Sequence, residues 1–332
     1  MTDRPRAHRH GGKHPDSTGT KRRRLPTVIL ASAIALFLSA CTTAQQTKSL
    51  LAEPGALPPR AKVADVPFFP QEKYYCGPAA TAMILNWTGL PVTQEDMAEQ
   101  VYTPGREGTL QPDVIAAMRR NGRLAIPVDT MRELLGEIAA GRPVLVFQNL
   151  GLKIYPQWHF AVAIGYDLEA RELIMHTGPW DNRPVALRTF EHTWRRGGYW
   201  ALVILNPGEL PVAAEEVEVV RAAAGLERVS LHAKAAISYE AILKRWPRSF
   251  AAWMGLGNAR YAVKNLDGAE QAWRGAIAAD PENSAPAWNN LAYVLRDLGR
   301  HREALEAART AVELGPPDDP NYRGTLEEIS NM

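Results

Sequence analysis

The sequence predicts an α+β domain followed by an all-α domain, and three observations carry that expectation. Between residues 65 and 141 apolar side chains recur at helical spacing between cap signals. From 143 to 205 they gather instead into short runs bounded by Gly, Pro or charge, which read as strands. Beyond residue 217 a helical pattern returns and repeats at a fixed period. Helices first and strands after is an α+β order rather than an alternating α/β one.

The elements follow in turn. A first helix is expected from Pro78, carrying Ala79, Met83 and Ile84 inward and ending near Thr88-Gly89. Thr93-Gln94-Glu95-Asp96 has the form of a capping box opening a second helix. A third runs over 112–120 and stops at Asn121-Gly122, and a fourth over 131–140 is closed by Gly141. The strands of one sheet are expected at 143–148, 159–166, 173–176 and 199–205, and Asn206-Pro207-Gly208 with Pro211 marks the domain boundary.

Ahead of the α+β domain lies a leader. Lys21-Arg22-Arg23-Arg24 precedes an apolar run over 28–38, too short to span a bilayer comfortably but the size of a signal-peptide core. The run ends in Leu38-Ser39-Ala40-Cys41, which resembles the lipobox of bacterial lipoproteins. That resemblance implies a signal peptide over 1–41, a lipid on Cys41 and attachment to the cell envelope. Thr42 in place of Asp implies the outer membrane, facing the periplasm. Residues 42–64, rich in Ala, Pro, Gln and Thr, read as a flexible tether, and the folded domain is expected over 65–207.

Charge narrows the partners. The first 40 residues hold eight Lys/Arg and two Asp, which leaves 30 basic against 34 acidic residues in the rest. That balance asks for no nucleic acid. There is no phosphate loop of the Gly-x-x-x-x-Gly-Lys type, so neither ATP nor another cofactor is expected.

In the helical region, Trp253 is followed by Leu256, Gly257, Ala269, Trp273, Ala276 and Pro281. The same offsets from Trp288 give Leu291, Ala292, Ala304, Ala308, Ala311 and Pro316, and from Val219 give Ala222, Ala223, Ala235, Tyr239, Ile242 and Pro247. This resembles the tetratricopeptide repeat, with about three repeats over 217–318 and a C-terminal tail over 319–332. The resemblance implies a surface that docks a protein partner.

Chemistry is concentrated in two segments. One contains Gln71, Tyr74, Tyr75, Cys76, Gly77 and Pro78; it sets a thiol at the first turn of a helix, where the macrodipole favours thiolate. Gly77 leaves room for a substrate backbone, and Pro78 omits a donor that would be unpaired anyway. Of the two cysteines, Cys41 is assigned to the anchor, so Cys76 has no disulfide partner. The other segment, Trp158-His159-Phe160-Ala161-Val162, puts a histidine at the head of an apolar strand, from which it can serve a thiol as base. A pair of this kind is expected to rest as thiolate and imidazolium. Trp158, Trp180, Trp194 and Trp200 cluster around the sheet, and some could line a groove.

Together the two segments resemble papain-like cysteine peptidases, most closely the bacteriocin-processing group that cuts leaders after a double glycine. The resemblance covers about 65–205. It implies Cys76 as nucleophile, His159 as base and Gln71 as oxyanion donor, acting on a protein or peptide substrate. Two departures stand out. The Gln–Cys spacing is five where six is usual, and the strand after the histidine, Leu173-Ile174-Met175-His176-Thr177-Gly178, lacks the family's aspartate. Asp181 or His176 is expected to orient the base in its place, although a bare dyad also remains open. Two other functions share these residues: a non-catalytic adaptor with a decayed peptidase domain, and a transglutaminase-like acyl transferase.

Overall fold

A computed structural model describes residues 44–71 and 74–332. The signal segment expected over 1–41, Cys41 included, lies outside the described residues.

Residues 45–62 are structured where a tether was expected. The helix α1 (Gln45–Ala52) buries Leu50, and its first turn is capped by a distant carboxylate. The Gln46 and Thr47 N–H groups donate to Glu191 at 3.0 and 2.6 Å, and Gln46 Oε1 accepts from Met131 N–H at 2.6 Å. First-turn donors without an intrahelical partner and a buried acid satisfy each other across the fold. The strand β1 (Arg60–Lys62) then pairs antiparallel with the far end of β6. Composition alone does not show this, because each partner lies 85 or more residues away.

The helix α2 (Cys76–Trp87) begins two residues before the expected start, so Cys76 itself is its first residue. After it, α3 (Gln94–Val101) opens on the expected capping box: Thr93 Oγ1 accepts from Asp96 N–H at 3.0 Å, and Asp96 accepts from Thr93 N–H at 2.8 Å. A short hairpin, β2 (Tyr102–Thr103) and β3 (Gly108–Thr109), leads to α4 (Gln111–Arg120), β4 (Leu124–Pro127) and α5 (Met131–Ala139). The remaining strands are β5 (Val144–Asn149), β6 (Trp158–Asp167), β7 (Glu172–Thr177), β8 (Trp180–Ala186) and β9 (Ala201–Leu205), with α6 (Leu187–Arg196) between the last two. The sheet is antiparallel in every pair, ordered β4-β9-β5-β6-β7-β8, with β1 beside β6 where β5 ends. The fold is α+β, as the order of elements predicts.

Both faces of the central strands are covered: β5 and β9 are buried along their whole length, and Val144 to Phe147 and all of β9 are apolar. Leu145 and Phe147 of β5 face α2, α3 and α4, packing with Met83, Met97 and Val114. Their neighbours Val144 and Val146 face the opposite way, towards α5 and α6. The edge strand β8 was not foreseen: it is almost entirely exposed, so no buried face imposes an apolar alternation on it. Nor was α6 foreseen, although Leu187, Phe190, Glu191 and Trp194 keep helical spacing on its buried side.

Three helical pairs follow: α7 (Glu216–Glu227) with α8 (His232–Arg245), α9 (Phe250–Ala262) with α10 (Leu266–Ala279), and α11 (Ala285–Asp297) with α12 (His301–Leu314). Small residues let the helices of a pair approach: a Cβ on Gly257 would lie 2.3 Å from the Trp273 ring nitrogen. The expected tail contains a further helix, α13 (Pro320–Ser330), whose Ile329 and Thr325 are buried. A last repeat leaves an apolar face that a capping helix covers. The boundary at residues 206–211 is no free linker, since Val212 N–H donates to the buried Glu137 carboxylate at 2.6 Å. Val219, Leu226, Ala235 and Tyr239 share one core with Leu124 and Leu205, so the first repeat is built onto the sheet.

Candidate active site

The thiol, the histidine and the glutamine come from three separate elements and line one cleft of about 890 Å³. Cys76 stands at the N-terminus of α2. Burial pushes its thiol above the ordinary thiol range, and the backbone N–H groups of Phe160, Gly77 and Cys76 itself pull the other way. Gly77 is required for a reason other than substrate access. Its Cα faces Thr109 of β3, whose Oγ1 would be 2.2 Å from an added Cβ. That hydroxyl is buried without a partner in the cleft wall.

Gln71 is held at both ends of its residue. Its backbone N–H donates to Gly178 O at 3.1 Å, and its Oε1 accepts from Gly178 N–H at 3.0 Å. The clamp fixes which side of the amide is oxygen, and Nε2 is turned towards Phe160 O at 3.5 Å along the cleft. Between Gln71 and Cys76, Tyr74 stands in the left-handed region with φ +69°.

His159 is the second residue of β6, and its Nε2 lies 2.8 Å from Thr177 Oγ1 at the end of β7. Thr177 therefore occupies the place where an orienting carboxylate was expected. His176 and Asp181 do not: they pair with each other, Nδ1 to Oδ1, at 2.8 Å, and His176 Nε2 contacts Val66 O at 3.2 Å. These two residues border a separate cleft of about 430 Å³ beside Val66 and Phe68. The physical reason is strand alternation: successive residues of β7 point to opposite faces, so His176 and Thr177 cannot both reach His159. Burial pushes the His176 ring below its ordinary value, against the pull of Val66 O and Asp181.

A hydroxyl partner has an electrostatic consequence. Burial, with the Arg183 cation nearby, pushes His159 down to about 4. A carboxylate would oppose that shift, and a threonine does not. With the thiol raised and the imidazole lowered, the pair rests near pH 7 as neutral thiol and neutral imidazole, not as the expected ion pair. Sequence reasoning missed Thr177 because a lone threonine at a strand end carries no signal of its own. Its place in the segment that lacks the aspartate was the available clue.

Among the described residues no group of three His, Cys, Asp or Glu side chains is arranged to hold a metal ion. Of the tryptophans expected around the sheet, Trp158 lines the cleft, Trp194 is buried behind the sheet and Trp180 lies exposed under the Arg183 guanidinium.

Comparison with known proteins agrees with this layout. Residues 63–202 match the Peptidase_C39 like family, and residues 220–284 and 285–318 match two tetratricopeptide repeat families. The chain thus carries a C39-like peptidase domain followed by tetratricopeptide repeats. No curated protein matches. Similar solved structures include a protein from Bacillus anthracis described as a C39-like peptidase, at 18% identity over 44% of this chain and 97% of that one, with a TM-score of 0.39. The tetratricopeptide domain of Sgt2 from Aspergillus fumigatus matches at 19% identity over 36% of this chain and 79% of its own, TM-score 0.34. The Yersinia enterocolitica secretion chaperone SycD, solved with a peptide of the translocator YopD, matches at 18% over 36% and 96%, TM-score 0.34.

Proposed function

We propose that this chain is a cysteine peptidase that hydrolyses peptide or isopeptide bonds, lipid-anchored through Cys41 at the outer membrane and facing the periplasm. The observation that carries the reading is the convergence of Cys76, His159 and Gln71 on one cleft, with the His159 ring fixed by Thr177. Nε2 is committed to Thr177, so Nδ1 is the nitrogen left for the thiol. For Nδ1 to act as base, Nε2 must carry the proton and Thr177 Oγ1 must accept it.

From the neutral pair, the proton moves during attack rather than beforehand. Nδ1 takes the thiol proton as Sγ adds to the carbonyl carbon, and the carbonyl oxygen becomes an oxyanion. The Cys76 N–H and Gln71 Nε2 are the donors suited to that oxyanion. The adduct collapses, the C–N bond breaks, and His159 gives its proton to the departing amine. Water then attacks the acyl-thioenzyme with His159 again as base, releasing the acid and restoring the thiol. The repeats, built onto the opposite face of the sheet, would hold a protein partner or the body of a protein substrate.

The test uses the full chain carrying Cys41→Ser, which leaves Cys76 as its only thiol. Products from a denatured protein mixture are identified by mass spectrometry, with and without an added amine. Hydrolysis that vanishes in Cys76→Ser and in His159→Ala supports the proposal; amide products with the amine would make it a transferase. A second reading, a non-catalytic adaptor, is favoured by the missing carboxylate and the raised thiol. No products, together with Cys76 alkylation unchanged in His159→Ala, would decide for it.

A further inference from the structure

The loop joining β5 to β6 exposes a run of large apolar side chains. Leu150, Leu152, Ile154 and Tyr155 are 48, 66, 83 and 81% exposed, and Trp158 at the head of β6 is 54% exposed. Clusters of this kind mark interaction sites. The loop is built rather than loose. Asn149 is buried, and its side-chain oxygen accepts from Gly151 N–H at 3.0 Å and Gln157 N–H at 2.9 Å. Leu150 N–H donates to Gln157 O at 2.9 Å, Tyr155 N–H to Leu152 O at 3.1 Å, and Arg196 Nε to Asn149 O at 3.1 Å. An added Cβ on Gly151 would lie 2.3 Å from Tyr155 O, so this turn closes only around glycine. The side chains are therefore displayed in advance, and a ligand meets little ordering cost.

The loop is also continuous with the candidate cleft. At its neck, Trp158 stacks on Phe147 at 5.2 Å and 12°, and both rings line the cleft. The next residue is His159. Tyr74 and Leu110, about two-fifths exposed, line the same cleft. Residues 150–157 lie outside it. An apolar track thus begins at Phe147, leaves through Trp158 and continues on the outer loop.

We propose that the β5–β6 loop is an exosite for the substrate, gripping a stretch of extended polypeptide with bulky apolar side chains that is continuous with the segment in the cleft. This rests on the peptidase reading above and names its substrate class: unfolded or unstructured protein segments rich in large apolar residues. An extended strand turns alternate side chains to one side, so one segment can reach both the cleft and the loop. Across 149–158 the only charged residue is Lys153, so apolar contact supplies the attraction. A lipid bilayer is the competing occupant of an apolar tip, but it prefers several cations beside the apolar face and does not account for a track that runs into the cleft.

The test measures binding of fluorescein-labelled peptides of about ten residues, ~33 Å extended, to the full chain carrying Cys41→Ser and Cys76→Ser. One peptide alternates Leu and Phe with polar residues; its control has Ser in their place. The apolar peptide should bind at least about tenfold more tightly. The double variant Ile154→Ser/Tyr155→Ser should weaken it about tenfold, or about 1.4 kcal/mol, without affecting the Ser peptide. With Cys76 restored, KM for the apolar peptide should rise by the same factor while kcat and Cys76 alkylation stay unchanged. Equal binding to the double variant overturns the exosite. So does retention on phosphatidylglycerol vesicles that the double variant loses while peptide binding is unchanged, which assigns the loop to a membrane. If binding falls as expected but no peptide is ever cleaved, the peptide-binding loop stands and the peptidase reading fails.

Discussion

On one face of the sheet, α2, α3 and α4 bury Met83, Met97 and Val114 against Leu145, Phe147 and Phe160. On the other, α5, α6 and the first repeat bury Leu134, Trp194 and Leu226 against Val144, Val146 and Leu205. Neighbouring residues of one strand thus serve two cores. The first face leaves a cleft at its margin, which Cys76 and His159 line. The second attaches the first repeat to the domain. The degenerate first repeat belongs to this difference: it lacks the Trp and Gly of the second repeat because its helices fit a sheet as well as their own kind. Substitutions on the two faces should therefore separate activity from stability.

The largest effect is expected at the cleft. His159→Ala should lower kcat/KM by about 10³-fold or more, with the thermal midpoint little changed. A comparable loss of stability would show that the two faces are not separable. Next comes the shared core: Leu226→Ala should cost about 2–5 kcal/mol and lower the unfolding of domain and first repeat together in one transition. Leu291→Ala, in the outer cluster of the third repeat, should cost a similar amount yet leave Cys76 alkylation at its original rate. Calorimetry with alkylation on the same samples distinguishes the two.

Thr177→Val should lower kcat by about a hundredfold, the scale of a misplaced catalytic group, with smaller change in KM. The pH profile sharpens the point. His159 in the folded chain takes its proton near 4, so kcat/KM should hold as pH falls past 6 and drop only as it passes about 4. Thr177→Asp should move that limb upward. The unfolded imidazole protonates near the ordinary value of about 6.5, so between there and about 4 the unfolded chain binds more protons. Acid should accordingly destabilise the fold over that window. The thiol, raised by burial, should be alkylated slowly at neutral pH and faster only above the ordinary thiol range. The smallest effect is expected at Glu191→Gln, which leaves a weaker acceptor for the first turn of α1 and should cost about 1 kcal/mol, read from exchange protection of Gln46 and Thr47.

Much of this was legible in local pattern. Thr93 announces its capping box, and the segment 143–148 reads as a strand because its apolar residues run consecutively between Pro143 and Gln148. Cys76 and His159, which line one cleft, were each legible from a local signature: a helix start and a strand head. Thr177, Glu191 and Gln46 were not. Their roles are contacts made across 18, 144 to 145 and 85 residues, and nothing in their neighbourhood marks them.

By itself the sequence determined the order of helices and strands, the period of the repeats and the two segments that line the cleft, because those depend on spacing within a few turns or one strand. Only the tertiary structure decided which hydroxyl holds His159, that His176 and Asp181 turn to each other, and that the first repeat shares the core of the sheet. Strand register sets the first two by choosing which face each residue of β7 occupies. Packing sets the third, by bringing α7 and α8 against Leu124 and Leu205.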